Sequence, residues 1–351
     1  MRSPLPRRAR VLTLAAASAA ALLVLSGCAS GSDAADSADG GTQDVTINQA
    51  VQTLLYLPLY VAEEKGYFED EGVNVTIDTG GSGNASFAAV LGGSAGFSIQ
   101  DPVFSAKSHE QGGEGVIVAG VQNAPAEFLV GKDGTSAQDD PTILNGKKVV
   151  VSPSPDSTWA LMTKMIDTYD LTGVKLVNVS LGNELAAVAS GQADYAVVPE
   201  PSVSQAVDQQ DMHVVYSWPA AGDEWNPFAF SSLTSTQKYV KANPEATQGV
   251  VNAFQRAYNY IYSDEAGTIE VAEKYFPKLD KSTVASAVKR EIEADGYPHG
   301  ATVTEEAWDH NLQLAADIDN VEKYPADATS YETNVDTTFS DKAEKTYPAK
   351  N

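Results

Sequence analysis

Cysteine is almost absent from this chain: Cys28 is the single one among 351 residues, so no disulfide can close within it. Histidine is scarce as well. His109, His213, His299 and His310 are scattered, with no His-Glu-x-x-His pair and no cysteine partner, so they read as surface or core residues rather than zinc ligands. Basic residues are outnumbered, 23 Lys and Arg against 47 Asp and Glu. Four of the 23 sit at the extreme N-terminus (Arg2, Arg7, Arg8, Arg10), which leaves 19 against 47 beyond it, a formal charge of −28. Such a surface cannot neutralise phosphates, which excludes nucleic acid as a partner, and it has no polybasic grip for anionic lipid. Motifs for nucleotide or acyl chemistry are missing too. There is no P-loop, Gly81-Ser82-Gly83-Asn84-Ala85-Ser86 lacks the third glycine of a dinucleotide fingerprint, and Gly80-Gly81-Ser82-Gly83-Asn84 fails the nucleophile elbow at its last position. No catalysis, metal or cofactor is expected. Beyond residue 25 no apolar run is long enough to cross a bilayer.

What is present begins with a leader. Four arginines and no acids precede an apolar run from Val11 to Leu25, the layout of a secretory signal spanning 1–27. Leu25-Ser26-Gly27-Cys28 resembles the lipobox of bacterial lipoproteins, in which the cysteine is lipidated and becomes the new N-terminus. That resemblance implies a palmitate-type lipid anchor on Cys28, holding the fold outside the cell on the outer face of the membrane. Residues 28–44 then form the lipidated cysteine and a tether. Ala29 to Asp44 holds only Ala, Ser, Gly, Asp, Thr and Gln, too little apolar surface to offset chain entropy, so a disordered tether is expected.

From Val45 onward, short apolar strands alternate with amphipathic helices. Val45 to Gln49, Val73 to Ile77, Ala95 to Ile99, Gly115 to Val121 and Glu127 to Val130 read as strands, with helices over Tyr56 to Glu71, Asn84 to Leu91 and Pro102 to Gln111. The pattern restarts with strands at Lys148 to Val151, Val174 to Val179, Tyr195 to Val198 and His213 to Ser217, and helices at Ser157 to Tyr169 and Glu184 to Ser190. This alternation predicts parallel sheets with covered faces, in two domains because about 300 residues exceed one core. Gln237 to Ile318 reads as mainly helical, and Pro325 to Asn351 as a segment wrapping the surface.

Several segments carry a family resemblance. Pro58-Leu59-Tyr60-Val61-Ala62, Lys65-Gly66-Tyr67-Phe68 and Glu71-Gly72-Val73 resemble the opening of the solute-binding proteins of ABC importers for nitrate, sulfonates, taurine and thiamine-pyrimidine precursors. So do Leu144-Asn145-Gly146-Lys147-Lys148-Val149, Gly191-Gln192-Ala193-Asp194-Tyr195, Pro199-Glu200-Pro201 and Asn243-Pro244-Glu245, and the resemblance covers Val45 to about Ala294. It implies an α/β, two-lobe periplasmic-binding-protein type II fold with two interlobe crossovers and C-terminal helices. Lobe 1 would comprise 45–131 and 224–351, lobe 2 132–223. A monomer that delivers a small molecule to an ABC permease and its ATPase follows from the same resemblance.

In open α/β sheets, ligands sit beyond the carboxyl ends of strands, where helix N-termini present free N–H groups. That rule selects Gln49, Thr53, Tyr56, Ser82, Asn84, Asp101, Ser154, Ser157, Thr158, Trp159, Glu184 and Glu200, with Trp225 and Asn226 at the second crossover. Asp156 and Ser157 serve equally well as helix caps, Trp159 as core and Glu200 as a solvent-facing residue before a helix. The selected loops hold Asp101, Asp156, Glu184 and Glu200 but no Lys or Arg. A neutral or cationic, nitrogen-bearing, pyrimidine-like ligand is therefore expected, stacking on Tyr56, Trp159 or Trp225 and donating to the carboxylates. A small anion such as a sulfonate or nitrate, held by helix N-termini, is the alternative; an enzyme on the same fold and an adhesive surface lipoprotein are readings of other classes.

Overall fold

The computed structural model describes residues 42–152, 157–179 and 182–349. The leader, Cys28, most of the tether, Ser154 and Asp156 lie outside this set.

The first run of the chain is β1 (Gln43–Gln49), α1 (Leu57–Glu64), α2 (Tyr67–Asp70), β2 (Val73–Thr79), α3 (Gly83–Leu91), β3 (Phe97–Gln100), α4 (Val103–Glu110) and β4 (Gly115–Gln122). The helix expected over Tyr56 to Glu71 is broken in two. Gly66 takes φ +69°, a left-handed conformation open to glycine, which ends α1 and turns the chain into α2. The second run is β5 (Glu127–Gly131), β6 (Lys148–Val151), α5 (Ser157–Thr168), β7 (Lys175–Asn178), α6 (Glu184–Ala189), β8 (Tyr195–Pro199), α7 (Ser202–Gln209) and β9 (His213–Ser217). Then follow β10 (Ser231–Thr236), α8 (Gln237–Ala242), α9 (Pro244–Ser263), α10 (Glu265–Tyr275), α11 (Lys281–Glu293), α12 (Glu305–Asp317), α13 (Tyr331–Asn334) and α14 (Thr338–Thr346).

Two five-stranded sheets result, in the orders β2-β1-β3-β10-β4 and β7-β6-β8-β5-β9. The sheets are mixed rather than purely parallel, which corrects the expectation. In the first, β10 runs antiparallel to both β3 and β4; in the second, β5 runs antiparallel to β8 and β9. Each antiparallel strand is the one that has just crossed from the other run. Glu127–Gly131, placed in the first lobe by the sequence reading, therefore pairs in the second sheet. Its five residues are all buried, as a strand covered on both faces requires. Both sheets belong to the compact unit Gly40–Asn351.

The C-terminal segment has more structure than a surface wrap. β4 ends the first sheet, yet all eight of its residues are buried. Its open edge is sealed by Val335, which bridges Ile117, by Asp336 N–H donating to the Ile117 carbonyl (2.9 Å), and by Ala301, whose carbonyl accepts from Gly120 (2.8 Å). Covering an edge in this way removes a template for unwanted strand pairing. Arg256 of α9 clamps α2 through Asp70 (2.7 Å) and Glu71 (3.0 Å) while its guanidinium lies 4.2 Å from the Tyr67 ring centre. No helix among the described residues is long and apolar enough to cross a membrane.

Candidate functional site

The carboxyl ends of β1 and β3 and the amino end of the antiparallel β10 open onto a cavity of about 410 Å³. Most of its wall comes from the first sheet and its helices. Glu127, Ser157 and Pro199 come from the second sheet and α5, so the cavity lies between the two.

Local chemistry sets each polar group. Thr53 caps a single helical turn, its hydroxyl accepting from Leu55 N–H. The turn buries Tyr56, whose hydroxyl bonds Ser231 at the start of β10; burial pushes this phenol well above its ordinary value, and the charge of Asp101 adds to the effect. Ser82 caps α3 by accepting from Ala85 N–H (3.2 Å), which leaves the α3 N-terminus, with Gly83 and Asn84, at the wall. A Cβ at Gly83 would stand 2.7 Å from the Phe104 ring, so a larger residue there would displace that ring. Asp101 accepts from Val103 N–H (2.9 Å) and from Asn311 Nδ2 (3.1 Å). Lys107 reaches the wall from the middle of α4 and donates to Asn320 Oδ1 (2.8 Å). Glu127 is 3% exposed, with Ser157 Oγ at 3.5 Å from its carboxylate.

Of the residues selected from sequence, Thr53, Tyr56, Ser82, Asn84, Asp101 and Ser157 come together at this cavity. Seven others do not line it. Gln49 is engaged beneath, donating to Thr79 Oγ1 (3.0 Å) and accepting from Tyr60 (2.6 Å). Thr158 accepts from Ser152 N–H (2.8 Å), Trp159 packs part-buried against the core, and Glu184 caps its own turn through Gly182 N–H (2.8 Å). Trp225 is fully buried, edge-on to Trp218 at 6.1 Å, with the Lys164 ammonium 4.8 Å from its ring. Asn226 staples the second crossover by donating to the carbonyls of Trp218 and Ala221, both at 3.0 Å.

Glu200 is the most instructive of these. It is fully buried and accepts from Ser204 N–H and Oγ, each at 3.0 Å, and from Arg290 Nε at 2.7 Å. Its positive partner thus comes from α11 and not from a ligand, which corrects the inference that no base stood near it. Burial still raises its carboxyl above the usual range, against the Ser204 and Arg290 contacts. Beside it Glu291, also fully buried, is pushed up to about 8 by burial and by the charge of Glu200.

Sequence reasoning missed Lys107, Glu127, Ser231 and Asn320 at the wall. Glu127 carried a signal, a lone acid heading the apolar run Phe128-Leu129-Val130. Lys107 carried none, because it lies one and a half turns inside a helix whose N-terminus alone was considered.

The profile of the NMT1/THI5-like family matches residues 55–266. The YtlA protein of Bacillus subtilis (strain 168), named as a binding protein, is 23% identical over 274 residues, 76% of this chain and 80% of its own length. Among solved structures, the nitrate-binding protein NrtA of Synechocystis PCC 6803 superposes with a TM-score of 0.67 at 13% identity, over 88% of this chain and 89% of that one. The alkanesulfonate-binding protein SsuA of Xanthomonas axonopodis pv. citri, bound to MOPS, gives 0.64 at 15% identity, over 85% and 99%. The ligand-binding component of an ABC-type import system from Staphylococcus aureus gives 0.69 at 11%, over 86% and 99%. These structures share the periplasmic-binding-protein fold, and with more than half of its residues matched, the chain belongs to the NMT1/THI5-like family.

Proposed function

We propose that this protein is the extracytoplasmic solute receptor of an ABC importer and takes a nitrogen-bearing small molecule. The observation that carries the reading is one cavity with walls from both sheets, in which the carboxylates of Asp101 and Glu127 stand beside the rings of Tyr56 and Phe230. A neutral or cationic nitrogen compound can donate to the acids and lie against the rings, as pockets with few polar groups require. The receptor role is supported by the family and by the import-system proteins that share the fold. Two lobes, divided near the crossovers at residues 123–126 and 218–230, would close over the solute as a monomer and present it to a permease. A binding role without turnover fits a site whose acids are fixed by Val103, Asn311 and Ser157. The lipid on Cys28 would hold the receptor at the membrane; Cys28→Ser should release processed protein into the soluble fraction, and continued membrane fractionation would remove the anchor from the reading.

The test is thermal unfolding of the mature protein against pyrimidines, flavins, amines, sulfonates and nitrate. A specific ligand at a hundredfold over its Kd adds about 2.7 kcal/mol. A nitrogenous compound should raise Tm; stabilisation by sulfonate or nitrate alone would overturn the ligand class. That anionic reading has one observation in its favour, the α3 N-terminus and Lys107 on the same wall.

A further inference from the structure

The cavity has two electrostatic poles, and the receptor reading above predicts only one of them. At the first, Asp101 and Glu127 present carboxylates from different sheets. At the second, Lys107 presents an ammonium, and the N-terminus of α3, with Ser82, Gly83 and Asn84, adds positive potential. Lys107 is tied to a neutral carbonyl oxygen of Asn320, and among the described residues no carboxylate pairs with it. Its charge is therefore held in place without being cancelled.

One structural element positions both poles. Asn311 of α12 donates to Asp101, and Asn320, just past the end of the same helix, accepts from Lys107. Asp101 precedes α4, its carboxylate accepting from Val103 N–H at the first residue of that helix, and Lys107 is the helix's fifth residue. A ligand with only a positive group would meet the acids but face a second cation. A ligand with only a negative group would meet Lys107 but face two acids.

We propose that the solute is dipolar: a compound with a protonated nitrogen for Asp101 and Glu127 and, several bonds away, an anionic or strongly accepting group for Lys107 and the α3 N-terminus. This rests on the receptor reading and narrows it.

The probes are three matched series titrated calorimetrically into the mature protein: ω-amino acids from 3-aminopropanoate to 7-aminoheptanoate, and the n-alkylamines and n-alkanoates of the same lengths. The ω-amino acids should show an affinity maximum at one chain length, at least tenfold tighter than the matching alkylamine or alkanoate. Lys107→Gln keeps an amide to bond Asn320 while removing the charge. It should abolish that advantage and leave alkylamine binding unchanged or tighter. Lys107→Arg, which restores the charge, should recover most of it and guards against a folding defect. Alkylamines binding as tightly as the amino acids, or an advantage that survives Lys107→Gln, overturns the proposal and leaves the receptor reading standing. Absence of binding by every member also overturns the dipolar ligand, while the receptor reading is judged by the wider nitrogen panel.

Discussion

Acids gather beside one base at two places in this molecule, and the two places serve opposite ends. At the cavity, Asp101 and Glu127 share the wall with Lys107, whose own bond goes to a neutral amide. At the end of β8, Glu200 and Glu291 lie fully buried, and Arg290 is bonded directly to Glu200. The first arrangement keeps charges apart around open space. The second closes them on one another and ties the second sheet to α11, which packs on α7. Gln209 strengthens the same junction by donating to Thr283 Oγ1 (3.0 Å). A carboxylate at the carboxyl end of a strand can thus line an open cavity or form a structural tie, and the difference lies in which helix arrives beside it.

The largest expected effect breaks the tie. Arg290→Met leaves Glu200 buried with only Ser204 to satisfy it, and removing one partner of a buried pair costs 3–5 kcal/mol in general. Because the Arg290 side chain is 29% exposed, about 3 kcal/mol is expected, read as a drop in the urea midpoint. Adding Glu200→Gln should recover much of the loss. A stable Arg290→Met variant with weakened ligand binding would instead move Glu200 to the ligand side of the comparison.

Next in size is the response to pH. The Glu291 carboxyl is held up to about 8 by burial and by Glu200, opposed by Gln122 and Arg290. The native state therefore keeps a proton that the unfolded chain releases in the usual carboxylate range near 4.5. Between those values the native state binds more protons, so stability falls as pH rises and flattens above about 8. Glu200, raised by burial, acts in the same direction. Glu291→Gln should flatten much of the slope and make the protein more stable than wild type at pH 9, on the order of 2 kcal/mol. An unchanged slope in urea midpoints measured from pH 5 to 9 would place the titrating group elsewhere.

How far the sequence reaches can be judged on the same residues. The strand–helix alternation was legible, since apolar periodicity and turn residues are local signals, and Thr53, Tyr56, Ser82, Asn84, Asp101 and Ser157, chosen at strand ends, line the cavity. The partner of Glu200 was not legible, because Arg290 lies 90 residues away on a helix that nothing local aims at β8. Trp225 illustrates the same limit. Aromatic content at a crossover suggests stacking on a ligand, yet the ring is fully buried against Trp218, a matter of packing that its neighbours in sequence do not encode. The strand β5 was placed correctly along the chain but in the wrong sheet, because pairing partners are set by topology and not by a strand's own residues.

On the cavity side, Asp101→Asn keeps an oxygen to accept from Val103 N–H and so should change stability by less than 1 kcal/mol. It removes the charge that a protonated nitrogen would meet. Binding of the tightest nitrogenous probe should weaken at least tenfold, about 1.4 kcal/mol. The equivalent change at Glu184, which caps its own turn, should leave that affinity within twofold. Equal effects at both positions would erase the distinction between wall acids and capping acids.

The smallest effect separates capping from recognition at the opposite pole. Ser82 Oγ accepts from Ala85 N–H at the start of α3, so Ser82→Ala should lower stability by about 1 kcal/mol through loss of the cap. Ser82→Asp retains a capping oxygen and places a negative charge at the positive end of the helix, which holds or raises stability. For a ligand whose accepting group sits at that end, the same aspartate is a repulsive neighbour. The two variants should therefore separate: Ala loses stability with little change in affinity, and Asp keeps stability while weakening the ω-amino acids several-fold. If Ser82→Asp instead tightens them, the protonated nitrogen lies at the α3 end, and the two poles of the cavity exchange their assignments.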